Sequence, residues 1–130
     1  TSFAEFVDQQ PNHVRRVLRD CDLSETASQN LVSLIRSPGT FYGGTDGGLL
    51  TGLGTFGFAW GDPSEVDELL SIGKGHVPGA SLIMSSTRAE MCGIFAAITH
   101  LRLVVKYYDI LPQKHASCRI FAIVRLLLLG

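Results

Sequence analysis

Apolar positions in the first part of the chain recur at helical spacing. Phe3, Phe6 and Val7 form a small set, followed by Val14, Val17 and Leu18, then Leu31, Leu34 and Ile35. Steps of three and four predict helices across residues 2–36, with Pro11 stopping and restarting the chain. Ser24 before Glu25 opens a helical stretch to Arg36, and Ser37-Pro38-Gly39 breaks it. The middle changes period. Residues 40–45 are short, Gly-rich and β-prone, and Asp46-Gly47-Gly48 reads as a turn. Phe56, Phe58 and Trp60 alternate, which predicts a strand over residues 54–60. Residues 66–73 read as a third strand, although Glu65, Asp67 and Glu68 also permit a helical turn, and residues 74–80 read as a loop.

The clearest helix follows. Thr87-Arg88-Ala89-Glu90 has the capping-box form, with Thr at N-cap and Glu at N3. Glu90, Ile94, Ala97, Leu101, Val104 and Tyr108 make an apolar stripe that Met91, Phe95, Ile98 and Val105 widen. Arg88, Cys92, Thr99, Arg102 and Lys106 fall on the far side. So broad a face is expected to lie against a sheet. Leu111-Pro112 ends the helix, and residues 117–124 read as a last strand. The expected class is therefore α/β with a mixed sheet. Strands 1–3 pair antiparallel, strand 4 returns parallel to strand 1, and the long helix covers them. Residues 1–38 are expected to form a helical extension, and residues 39–130 the sheet domain.

Composition narrows the function. The chain has 130 residues, 45% of them hydrophobic, and a formal net charge of −1. These values fit one folded domain and exclude a disordered tail. The charge is unevenly spread: residues 38–83 hold one base and five acids, residues 84–130 six bases and two acids. A basic face is thus compatible with a total near zero. Cys21, Cys92 and Cys118 are widely spaced and odd in number, against a disulfide framework or zinc site and for buried free thiols. The longest apolar run, residues 120–129, contains Arg125 and is short of the roughly 20 residues a membrane helix needs. The chain opens on Thr1 without a basic leader, so an intracellular, soluble, trimmed or internal segment is expected.

Several motifs are eliminated by context. Gly52-x-Gly54-x-x-Gly57 has the spacing of a dinucleotide fingerprint, but a strand pattern follows where a helix must open, so no dinucleotide cofactor is expected. His13, His76, His100 and His115 show no metal-protease or triad spacing and read as surface or structural residues. Asp46 and Glu90 remain. Each has an ordinary alternative, a turn acid and a capping acid. Together they point to a carboxylate site at one end of the sheet, of the kind hard divalent cations prefer.

Thr45-Asp46-Gly47-Gly48, then Gly54-Thr55-Phe56-Gly57-Phe58-Ala59-Trp60, then Ser86-Thr87-Arg88-Ala89-Glu90 occur in the order found in the ribonuclease H family. Over residues 40–124 the chain resembles the ribonuclease H-like domains of retroelement reverse transcriptases. The resemblance implies a five-stranded mixed sheet of order 3-2-1-4-5. It also implies Asp46 and Glu90 as catalytic ligands for two Mg²⁺ or Mn²⁺ ions, and cleavage of the RNA strand of an RNA/DNA hybrid. Gly47, Gly48 and Arg88 become candidate nucleic-acid contacts, and an upstream reverse transcriptase domain a candidate partner. The family's third acid ends the fourth strand; Ile123 stands there in this chain. The fourth acid and fifth strand have no counterpart before Gly130. Asp109 is no substitute, at roughly 28 Å along the helix from Glu90. The resemblance thus also admits a degenerate, non-catalytic nucleic-acid-binding or protein-interaction remnant of the same fold.

Overall fold

The computed structural model describes residues 1–37, 40–50, 53–61, 71–78, 85–110 and 117–123. Three helices come first: α1 (Phe3–Asp8), α2 (Asn12–Leu18) and α3 (Glu25–Arg36). They are followed by β1 (Thr40–Leu50), β2 (Leu53–Gly61), β3 (Ser71–His76), α4 (Ser86–Tyr107) and β4 (Ser117–Ile123). The class is mixed α/β, with three antiparallel strands and a long helix packed on them, as the pattern predicts. The sheet order is β3-β2-β1-β4. β1 pairs antiparallel with β2 from Tyr42↔Gly61 to Leu50↔Leu53, and parallel with β4 from Thr40↔Ser117 to Asp46↔Ile123. Residues 66–70, 111–112 and 124–130, assigned from sequence to a strand start, a helix stop and an apolar tail, lie outside the described residues.

All the helices pack on one face of the sheet. Phe41, Gly43, Thr45 and Gly47 of β1 and Phe56, Phe58 and Trp60 of β2 are buried at every second position, as strand alternation requires. The N-terminal helices share this core. The Phe3 ring stands 6.1 Å from that of His100 and 5.6 Å from that of Tyr107, centroid to centroid. Tyr107 Oη donates to Thr1 O at 2.6 Å, and Tyr108 Oη bonds Glu25 Oε2 at 3.0 Å. At the centre, fully buried Trp60 donates its indole N–H to His100 Nδ1 at 3.2 Å. Serines cap three helices: Ser2, Ser24 and Ser85 accept from the backbone N–H of Glu5, Ala27 and Arg88. Among the described residues no helix is long and apolar enough to cross a membrane.

Three local expectations are corrected. Asp46-Gly47-Gly48 is not a turn; it continues β1, opposite Gly57, Phe56 and Thr55. Residues 74–76 are not loop but the end of β3. Their alternation is hidden because the inward positions are glycines: a side chain at Gly73 or Gly75 would occupy the space of the Phe58 or Phe56 ring. The third correction concerns α4, which turns its smallest residues to the sheet. Ala89, Gly93, Ala96 and Ala97 are buried, as is Thr99, whereas Met91, Phe95 and Ile98 are 61%, 43% and 50% exposed. Apolar residues nearly encircle this helix, so periodicity alone does not fix its rotation. Close approach to the glycines of β1 does.

Candidate functional site

The Glu90 turn of α4 rests on β1 at Gly47, the residue after Asp46. The helix starts two residues earlier than the sequence pattern implies. Ser85 is the N-cap, its hydroxyl accepting the Arg88 N–H at 3.0 Å, and Thr87 lies inside the first turn. The capping box at Thr87 is therefore not formed, and Glu90, in the second turn, is released from the capping role. It is nevertheless only 8% exposed. An acid that is buried without serving as a cap costs free energy unless its surroundings compensate it.

Gly47 sets the β1 backbone against the backbone of the Glu90 turn. A Cβ on Gly47 would overlap the Glu90 N atom and lie 2.5 Å from Ala89 C and 2.7 Å from Ala89 O. Only a residue without a side chain lets the strand backbone rest on this turn of α4. One turn further on, a Cβ on Gly93 would stand 3.6 Å from Asp46 O and 3.8 Å from Thr45 Cβ. The Asp46 backbone thus lies directly beneath the helix that carries Glu90. Alternation aims Thr45 and Gly47 at α4, so half-buried Asp46 projects to the opposite face of β1. Glu90 approaches from the helix side, leaning toward the α4 N-terminus as helical side chains do. The acids flank one point of β1 from its two sides. That point is also where the parallel pairing ends, with Asp46 opposite Ile123, the last residue of β4. Open α/β sheets bind ligands at the carboxyl ends of such strands.

Asp46 and Glu90 are the two carboxylates beside this backbone contact, one on each face of β1. Among the described residues no group of three or more His, Cys, Asp or Glu is placed to hold a metal. Mg²⁺ is commonly held by one or two carboxylates, with water and substrate phosphate oxygens completing six ligands. Of the other candidate contacts, half-buried Gly48 pairs with Thr55, and exposed Arg88 donates from its guanidinium to Pro78 O at 2.8 Å.

A second feature was not visible in the sequence. Two adjoining hollows, of about 450 Å³ and about 590 Å³, share Asp20 and His76. The first is lined by Arg16, Arg19, Val77 and Pro78, the second by Thr55, Phe56, Lys74 and Gly75. Together they form a groove around the β3 edge of the sheet. Its walls are tied across it: His76 Nδ1 meets Asp20 Oδ2 at 3.2 Å, and the Cys21 thiol donates to Lys74 O at 3.4 Å. Burial pushes the Cys21 thiol up to about 11, so at neutral pH it is a protonated donor and not a nucleophile. Comparison with known proteins finds no family model, no curated protein and no solved structure that matches the chain.

Proposed function

We propose that the chain is a ribonuclease H-like domain of retroelement origin, acting on the RNA strand of RNA/DNA hybrids through Asp46, Glu90 and a divalent metal. The observation that carries this reading is the contact between Gly47 and the Glu90 turn. It sets two acids that are 44 residues apart in sequence at one end of a mixed sheet. The strand order β3-β2-β1-β4 supports it, being the first four positions of the order that the resemblance implies. A Mg²⁺ or Mn²⁺ held there supplies charge for an attacking water and a departing oxygen. Asp46 and Glu90 would hold and orient the ion; the half-buried Gly48 backbone would face a phosphate; Arg88, two residues before Glu90, adds positive charge in the first turn of α4. An upstream reverse transcriptase domain is the partner this origin implies.

One observation favours a second reading, a hybrid-binding remnant without turnover. Ile123 is the register partner of Asp46, where the family carries its third acid. One assay separates the two. With Mg²⁺ or Mn²⁺, the chain is expected to cleave the RNA strand of a labelled hybrid, and Asp46→Asn to lower the rate about 10²-fold or more. Binding without cleavage supports the remnant. Equal cleavage by both proteins shows a contaminating nuclease and removes the assignment of Asp46.

A further inference from the structure

We infer that the groove between α2 and β3 holds the sugar-phosphate backbone of the duplex, which makes the N-terminal helices part of the substrate surface. The inference rests on Asp46 and Glu90 being the reactive corner. Three features carry it.

The first is charge. Arg16, Arg19 and Lys74 line the groove with one acid, Asp20, and that carboxylate is engaged by His76. Arg16, Arg19 and Lys74 are all exposed, so their charged heads are available to a ligand. Guanidinium forks match phosphate oxygens in pairs, and an ammonium serves as a point charge beside them.

The second is position. Asp46, Gly57 and Lys74 lie in one row across β1, β2 and β3. Two strand spacings put Lys74 roughly 10 Å from Asp46. A backbone that follows this row therefore passes from Asp46 to Lys74 within a few nucleotides. On the other side, Arg88 reaches from the turn preceding Glu90 to the Pro78 carbonyl at the rim of the groove. Positive charge therefore runs from the reactive corner into the groove along both walls.

The third is fixed geometry. The Asp20–His76 and Cys21–Lys74 contacts join residues 56 and 53 positions apart and lock α2 against β3. A track of set width suits a repeating backbone, and less of the binding free energy goes into ordering it.

The test is anisotropy of a short labelled RNA/DNA hybrid in EDTA, across a salt series. Arg16→Gln and Arg19→Gln are each expected to weaken binding roughly tenfold at low salt and to flatten the salt slope by about one. Lys74→Gln, on the opposite wall, is expected to do the same. Arg36→Gln removes the same charge from the end of α3 that leads into β1, away from the groove, and is expected to change little. Wild-type affinity and slope in all three groove variants, or an equal loss in Arg36→Gln, overturns the groove while leaving the Asp46–Glu90 reading intact. Failure of the wild type to bind the hybrid in EDTA overturns the groove; failure to bind with Mn²⁺ present as well overturns both.

Discussion

Gly47→Ala is expected to destabilise the protein by about 3 kcal/mol and to abolish whatever metal-dependent activity the wild type has. Overpacking costs about 1–3 kcal/mol when neighbouring side chains can rotate away. Here the colliding atoms are the Glu90 N, Ala89 C and Ala89 O of a helix backbone, which can yield only by moving α4. That movement parts Glu90 from Asp46, so one methyl group strikes stability and site together. Gly44, on the opposite face, is the matched control. A Cβ there meets nothing within 4 Å, so Gly44→Ala is expected to be neutral or slightly stabilising through reduced unfolded-state entropy. Urea unfolding followed by the fluorescence of Trp60, the sole tryptophan, measures both. Equal stability of the two variants would mean that the strand does not rest on the helix at Gly47.

The second large effect is with pH. Burial holds His100 down, from 6.5 to about 4. Its hydrogen bond gives an independent reason: the indole N–H can only donate, so Nδ1 must stay unprotonated to accept it. A histidine whose folded value is lowered contributes full stability above its unfolded value. That stability is lost as pH falls from about 6.5 toward about 4, because the unfolded chain takes up the proton first. A gap of roughly two and a half units corresponds to about 3 kcal/mol. Unfolding midpoints in urea are therefore expected to drop steeply between pH 6.5 and pH 4. His100→Gln can still accept from Trp60 but does not titrate, so it is expected to remove most of that slope. An unchanged slope in His100→Gln would assign the acid sensitivity to other groups.

The strand of alternating aromatics was legible in the sequence because Phe56, Phe58 and Trp60 each bury a large side chain at period two. So was the long helix, though not its rotation. A third strand was legible, but its end at residues 74–76 was hidden for the same reason that it packs well: Gly73 and Gly75 carry no hydrophobic signal, and the rings of a neighbouring strand fill their space. The start of α4 lies earlier than the pattern implies because both Ser85 and Thr87 are good caps, and it is Ser85 whose extended backbone and hydroxyl take the role. Asp46 and Glu90 were visible as residue types in order. The physical link between them, the bare Cα of Gly47, looked like turn chemistry. The basic groove had no local signature at all, since its cations come from α2 and β3.

The central claim is that Asp46 and Glu90 together hold a divalent metal, and Mn²⁺ binding followed by electron paramagnetic resonance tests it most directly. The expected result is one site whose affinity falls at least about tenfold in Asp46→Asn and in Glu90→Gln, and rises in Ile123→Asp, which adds an acid opposite Asp46. The same Mn²⁺ affinity in the wild type and all three variants would contradict it.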